Sequence, residues 1–166
     1  MRALLQDPDE SVPWLTEALP RFGDRLCTVL FRVPKEVRLR PDRLEPLLRA
    51  WRTPIPLTME FQDPSWHVDE VFERLREAGA VLCTTELPDD PDPPDLRVTG
   101  PFLYLRLRRH DYTRAEIEGW AERIAPFLSD GRDVYAYFRH DETGRATELA
   151  TELEAATRDR TATAAS

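Results

Sequence analysis

Arg32, Glu60, Gln62, Arg106, Arg108, Arg139 and His140 each stand at or just past the end of a short apolar run. Guanidinium groups offer planar, paired donors that match phosphate and carboxylate oxygens. Glu60 is the carboxylate best suited to act as a general base or to anchor a ligand, and Arg106 either holds an anion or pairs with Glu60. Trp66 and Tyr104 add aromatic surface, Trp66 as a pocket wall or stacking partner or, equally, as a staple over the end of the fold. Burying this many charges is costly unless they are paired or solvated. Two readings therefore stay open: an internal ion-pair network, Glu60 with Arg106, or a solvated pocket with excess positive charge that takes a phosphate, carboxylate or nucleotide-like anion. His110 and His140 follow apolar runs at positions open to acid–base work, or are solvated loop residues. No Ser-His-Asp order or Gly-rich phosphate loop is present. Glu60, His67, Asp69 and His140 could be assembled into a metal site on paper, but nothing in their spacing favours one, and the sequence identifies no particular cofactor.

The elements that must position these residues alternate. Strands are expected at Thr28–Val33, Leu57–Gln62, Ala80–Thr85, Phe102–Arg108 and Val134–Arg139, each rich in branched or aromatic residues and bounded by turn formers. Helical periodicity covers Val12–Phe22, Pro41–Trp51, Val68–Ala78, Thr113–Leu128 and Thr143–Ala156. Thr113 and Glu116 have capping-box spacing, Gly79 is a helix stop, and Pro126 is expected to kink or shorten its last turn. Strict alternation argues for an α/β fold with a parallel sheet and helices outside. Period-two alternation then sorts the strands. Leu57, Met59 and Phe61 suit the helix layer while Thr58, Glu60 and Gln62 face away from it. Leu103, Leu105 and Leu107 likewise oppose Tyr104, Arg106 and Arg108. Ligand sites in such folds lie at the C-terminal ends of the strands.

The chain has 166 residues, 41% hydrophobic and 33% charged, with net charge -8. That suits one domain over residues 1–156, with a frayed polar tail over 157–166. An acidic chain argues against a general nucleic-acid surface, leaving only a local basic patch open. No apolar run reaches membrane length and no signal peptide is visible. Cys27 and Cys83 lack metal or redox spacing and read as buried, reduced residues of a cytosolic protein. The excess of Arg over Lys points to a GC-rich bacterial genome. Leu87–Asp95 is a stiff, acidic, proline-rich loop, either a solvated spacer or a lid or partner-binding segment.

At these strand ends the sequence resembles the domain of unknown function 72 family, also called YecE-like proteins. The resemblance rests on Val29-Leu30-Phe31-Arg32-Val33-Pro34, Glu60-Phe61-Gln62-Asp63-Pro64-Ser65-Trp66, Tyr104-Leu105-Arg106-Leu107 and Val134-Tyr135-Ala136-Tyr137-Phe138, followed by Gly144 and Ala146. It implies a partial TIM-type (β/α) barrel with strands corresponding to the fourth to eighth, and no established activity. Glu60, Trp66, Tyr104 and Arg106 keep the family pattern. Gln62 and Asp63, Arg108 and Arg109, and Arg139 and His140 stand where the family favours Arg-His, His-Gly and Asn-Asn. Arg32-Val33-Pro34-Lys35 replaces Gln-Leu-Pro-Pro, so the site looks rewired. Against such a barrel, about three strands would precede Met1. A longer reading frame, a remnant, or two chains completing each other through open sheet edges all fit that reading. The functional expectation is an anionic small-molecule or nucleotide-like ligand at the strand ends. The alternatives are a non-catalytic scaffold working through the acidic loop and an inactive fragment.

Overall fold

The computed structural model describes residues 7–139 and 141–164. Five parallel strands follow one another across the sheet in sequence order: β1 (Val29–Val33), β2 (Leu57–Phe61), β3 (Val81–Glu86), β4 (Leu103–Leu107) and β5 (Val134–Phe138). The helices are α1 (Pro8–Thr16), α2 (Pro41–Ala50), α3 (Asp69–Glu77), α4 (Arg114–Ser129) and α5 (Arg145–Ala164). Strict alternation with this strand order is the pattern of a partial TIM-type barrel. No helix among the described residues is long and apolar enough to cross a membrane.

The chain forms two compact units. The first runs through Cys83 and includes Val98–Gly100. Its core joins Phe31 and Val33 of β1 and Leu57, Met59 and Phe61 of β2 to Leu44 and Leu47 of α2 and Val71, Phe72 and Leu75 of α3. Every second strand residue is thus spent on the helices, as the alternation requires. Each such Leu or Phe contributes about 1.5–3 kcal/mol by leaving water. The α3 helix ends in a Schellman motif: Gly79, at φ +66°, donates to the Arg76 carbonyl at 3.1 Å, and Ala80 donates to Leu75 at 2.8 Å. Gly79 is suited to this because a side chain strains a left-handed residue.

The second unit comprises Thr84–Arg97 and the chain from Pro101 onward. Leu105 and Leu107 of β4 pack with Ile117, Trp120 and Ile124 of α4 and with Leu149 and Leu153 of α5, and Val134, Ala136 and Phe138 of β5 join them. The Thr113–Glu116 capping box is formed, with the Glu116 carboxylate 2.7 Å from the Thr113 amide.

Four local expectations are corrected. The segment expected as one helix over Val12–Phe22 is α1 followed by a 3-10 segment, Leu19–Arg25. Pro20 has no N–H to bond the Thr16 carbonyl, so the α-helical ladder cannot continue through it. Pro126 does not shorten α4, which runs on to Ser129 and ends at Gly131 in a second Schellman motif. Pro126 and Glu122, whose carbonyl loses its partner, are both exposed, so water can satisfy it. The stretch from Thr157 to Ala164 is helix rather than tail. Thr157 is buried there and its hydroxyl donates to the Leu153 carbonyl at 2.6 Å. Finally, Cys83 is buried but Cys27 is exposed.

Candidate functional site

Because Leu105 and Leu107 are committed to the helices, Tyr104 and Arg106 must lie on the opposite face of β4, and Tyr135 and Tyr137 do so on β5. The parallel register sets Tyr104 beside Tyr135 and Arg106 beside Tyr137. The Tyr104 and Tyr137 rings sit 5.1 Å apart, tilted by 31°. Phe102 meets Tyr135 edge-on at 5.0 Å. Tyr104 is buried, whereas Tyr137 is 47% exposed. The ladder continues past β5, where the Arg139 amide donates to the Leu107 carbonyl at 2.9 Å. Arg108, next after β4, is half-buried, and its amide donates to the Glu86 carbonyl at 3.1 Å. The Arg139 guanidinium lies 3.2 Å from His110 Nδ1. The second unit therefore brings Arg106, Arg108 and Arg139 to the C-terminal ends of two paired strands, with Tyr104 on the same face of β4 nearer its start. Their chemistry is that of oxyanion donors beside aromatic faces. His140, expected at this rim, lies outside the described residues.

In the first unit, Arg32 and Glu60 are register partners across β1 and β2. Glu60 is fully buried and Arg32 is half-buried. Beneath them Thr28 donates to the Pro56 carbonyl at 2.9 Å, so Thr58 supplies the proton in the 2.6 Å contact between the two threonine hydroxyls. Gln62, half-buried, extends the ladder by donating its amide to Val33. Asp63 accepts from the Ser65 amide at 2.9 Å, and hydrogen bonds from Ser65 hold its carboxyl below the usual range.

Of the two readings of Trp66, pocket wall or staple, its surroundings match the staple: it has no exposed surface, stacks on Phe61 at 4.7 Å and 7°, and donates its indole N–H to the Val37 carbonyl at 2.7 Å. Phe61 points into the helix layer, so its stacking partner is core too. Both the ring face and the one polar atom of Trp66 are thereby occupied.

A buried network in the second unit escaped the sequence reading. Glu86, at the end of β3, is 1% exposed. The Tyr112 hydroxyl donates to its Oε2 at 2.6 Å, and Arg109 Nε lies 3.1 Å from its Oε1. That Nε–H is poorly aimed, so the contact is one of charge more than of hydrogen bonding. Arg109 also donates to Glu116 at 2.9 Å and to the Asp90 carbonyl at 3.1 Å, and its amide donates to the Tyr112 hydroxyl at 3.2 Å. Burial, reinforced by the Glu86 carboxylate, pushes the Tyr112 hydroxyl well above the usual phenol range. The acidic loop is held at Asp90 by Arg109, and at Pro94, whose carbonyl accepts from Arg123. The expected strand stopped one residue short, at Thr85. A carboxylate ending an apolar strand was the one available signal.

No curated protein matches the chain. Among solved structures, a DUF72 family protein from Enterococcus faecalis V583 superposes with a TM-score of 0.74 at 18% identity, covering 90% of this chain and 66% of that one. A DUF72 family protein from Thermotoga maritima MSB8 does so with a TM-score of 0.74 at 22% identity, covering 92% and 67%. The chain thus spans about two thirds of the length of these structures, which it resembles in fold. The family model described as "Protein of unknown function DUF72" matches residues 1–166, and the chain belongs to that family.

Proposed function

We propose that this chain binds an anionic small molecule at the C-terminal ends of its strands, with Arg106, Arg108 and Arg139 gathering the anion. The carrying observation is the paired register of β4 and β5, which sets Arg106 beside a half-exposed tyrosine with two more arginines just beyond. Guanidinium groups at a partly shielded rim bind oxyanions more strongly than in open water, since the local dielectric is lower. Within the first unit, taken by itself, Glu60, buried on β2 with Arg32 as its register partner, is the candidate acid–base or anchoring carboxylate, and Gln62 a further ligand contact. Two cysteines outside any disulfide support a cytoplasmic setting. The strand order leaves β1 and β5 at its two ends, which supports self-association through strand edges.

The test is calorimetric titration with inorganic phosphate, preceded by native mass spectrometry for a co-purified anion. Arg106→Ala and Arg139→Gln should each weaken phosphate binding by about ten-fold or more. Unchanged binding in both Glu60→Gln and Arg106→Ala would remove those two residues from the site.

A further inference from the structure

Resting on that reading, we infer that the anion is carried by a planar aromatic ring, and that the ring stacks on Tyr137. A lone exposed tyrosine would signify little, because scattered apolar exposure is ordinary. Tyr137 is not alone. Its ring is backed by Tyr104 at 5.1 Å, and Tyr104 is itself buried. The neighbouring Tyr135 is fixed edge-on by Phe102 at 5.0 Å. The three tyrosines are held by a parallel ladder rather than by a loop, so a stacking surface exists before any ligand arrives. Pre-ordering of this kind lowers the entropy lost on binding.

Charge complementarity commits the face to one kind of occupant. Arg106 is the register partner of Tyr137, and Arg139 lies two residues further along the same strand direction. Same-face neighbours on a strand are about 6.6 Å apart. A ring over Tyr137 therefore places an attached phosphate or carboxylate between Arg106 and Arg139. Arg139 is steadied at that point by His110, 3.2 Å away. The ligand class is a small aromatic anion, such as an aryl phosphate or a nucleoside monophosphate.

Two matched pairs of probes test this by calorimetry: phenyl phosphate against inorganic phosphate, and adenosine monophosphate against ribose 5-phosphate. In each pair the aromatic member should bind about ten-fold more tightly. Tyr137→Ala should abolish that preference, and Tyr137→Phe should retain it. Tyr137 is exposed on an edge strand, so both variants should fold, which circular dichroism checks. Equal affinities within both pairs, or a preference that survives Tyr137→Ala, overturn the stacking inference and leave the anion reading standing. Failure of all four probes to bind overturns both. Affinity that grows with the length of an oligoadenylate would assign the face to single-stranded nucleic acid and likewise overturn the inference.

Discussion

Replacing Tyr112 with phenylalanine removes one oxygen from the most buried carboxylate network of the second unit. The ring remains packed edge-on against Phe138, 5.4 Å away, so almost no volume is lost. What is lost is a 2.6 Å hydrogen bond to a carboxylate that is 1% exposed. The Arg109 amide also loses its acceptor. Glu86 would then depend on Arg109 Nε, whose N–H is badly aimed. Hydrogen bonds to charged groups are worth about 1.5–3 kcal/mol, and a deserted buried partner adds its desolvation cost. The expected loss is about 2 kcal/mol. In urea this moves the unfolding midpoint down by about 1 M, for a slope near 2 kcal/mol/M. Trp120 fluorescence suits the assay, because Trp120 and Tyr112 share one core cluster. The pH dependence supplies an independent check. A phenol whose pKa is raised by folding, from the 10.0 of an exposed tyrosine, contributes stability that is complete below that value. That stability is lost as the pH climbs past 10 toward the folded value. The native protein should therefore weaken above pH 10 more steeply than the phenylalanine variant does. A midpoint shift under 0.25 M, taken as roughly half a kcal/mol at that slope, would refute the account of Glu86 as a network held by Tyr112.

Two further outcomes follow from the same geometry. Trp66→Phe breaks the indole bond to Val37 and shrinks a fully buried side chain, and should cost about 2–3 kcal/mol while leaving phosphate affinity unchanged, as titration beside thermal unfolding will report. Asp141 accepts from the amides of Thr143, Arg145 and Ala146 at the start of α5, and the Thr143 hydroxyl, together with these amides, holds its carboxyl far below the ordinary range. Stability from a depressed carboxylate is present above its unfolded value of 3.8 and fades as pH falls through the folded one. Asp141→Ala should thus lower the helical circular dichroism signal at neutral pH and flatten its acid dependence, whereas an acid profile identical to that of the native chain would contradict the cap.

Strand period alone determined which side chains of β1, β2, β4 and β5 meet the helices, because consecutive residues on an extended chain must alternate. Leu105 and Leu107 thereby forced Tyr104 and Arg106 onto the other face before any contact was known. The Thr113–Glu116 cap and the Gly79 stop were equally legible, since each closes within a few residues. Local chemistry does not reach further. That Arg32 sits beside Glu60 and Arg106 beside Tyr137 depends on strand register across intervening helices. Trp66 stood open between pocket wall and staple until the Val37 carbonyl, 29 residues away in sequence, claimed its N–H. Glu86, Arg109 and Tyr112 form one buried network only because the end of β3 lies beside the turn after β4, and no spacing in the chain encodes that approach. The half-exposure of Tyr137, the single fact that separates a ring packed shut from one open to a ligand, was likewise decided by what the folded chain leaves uncovered.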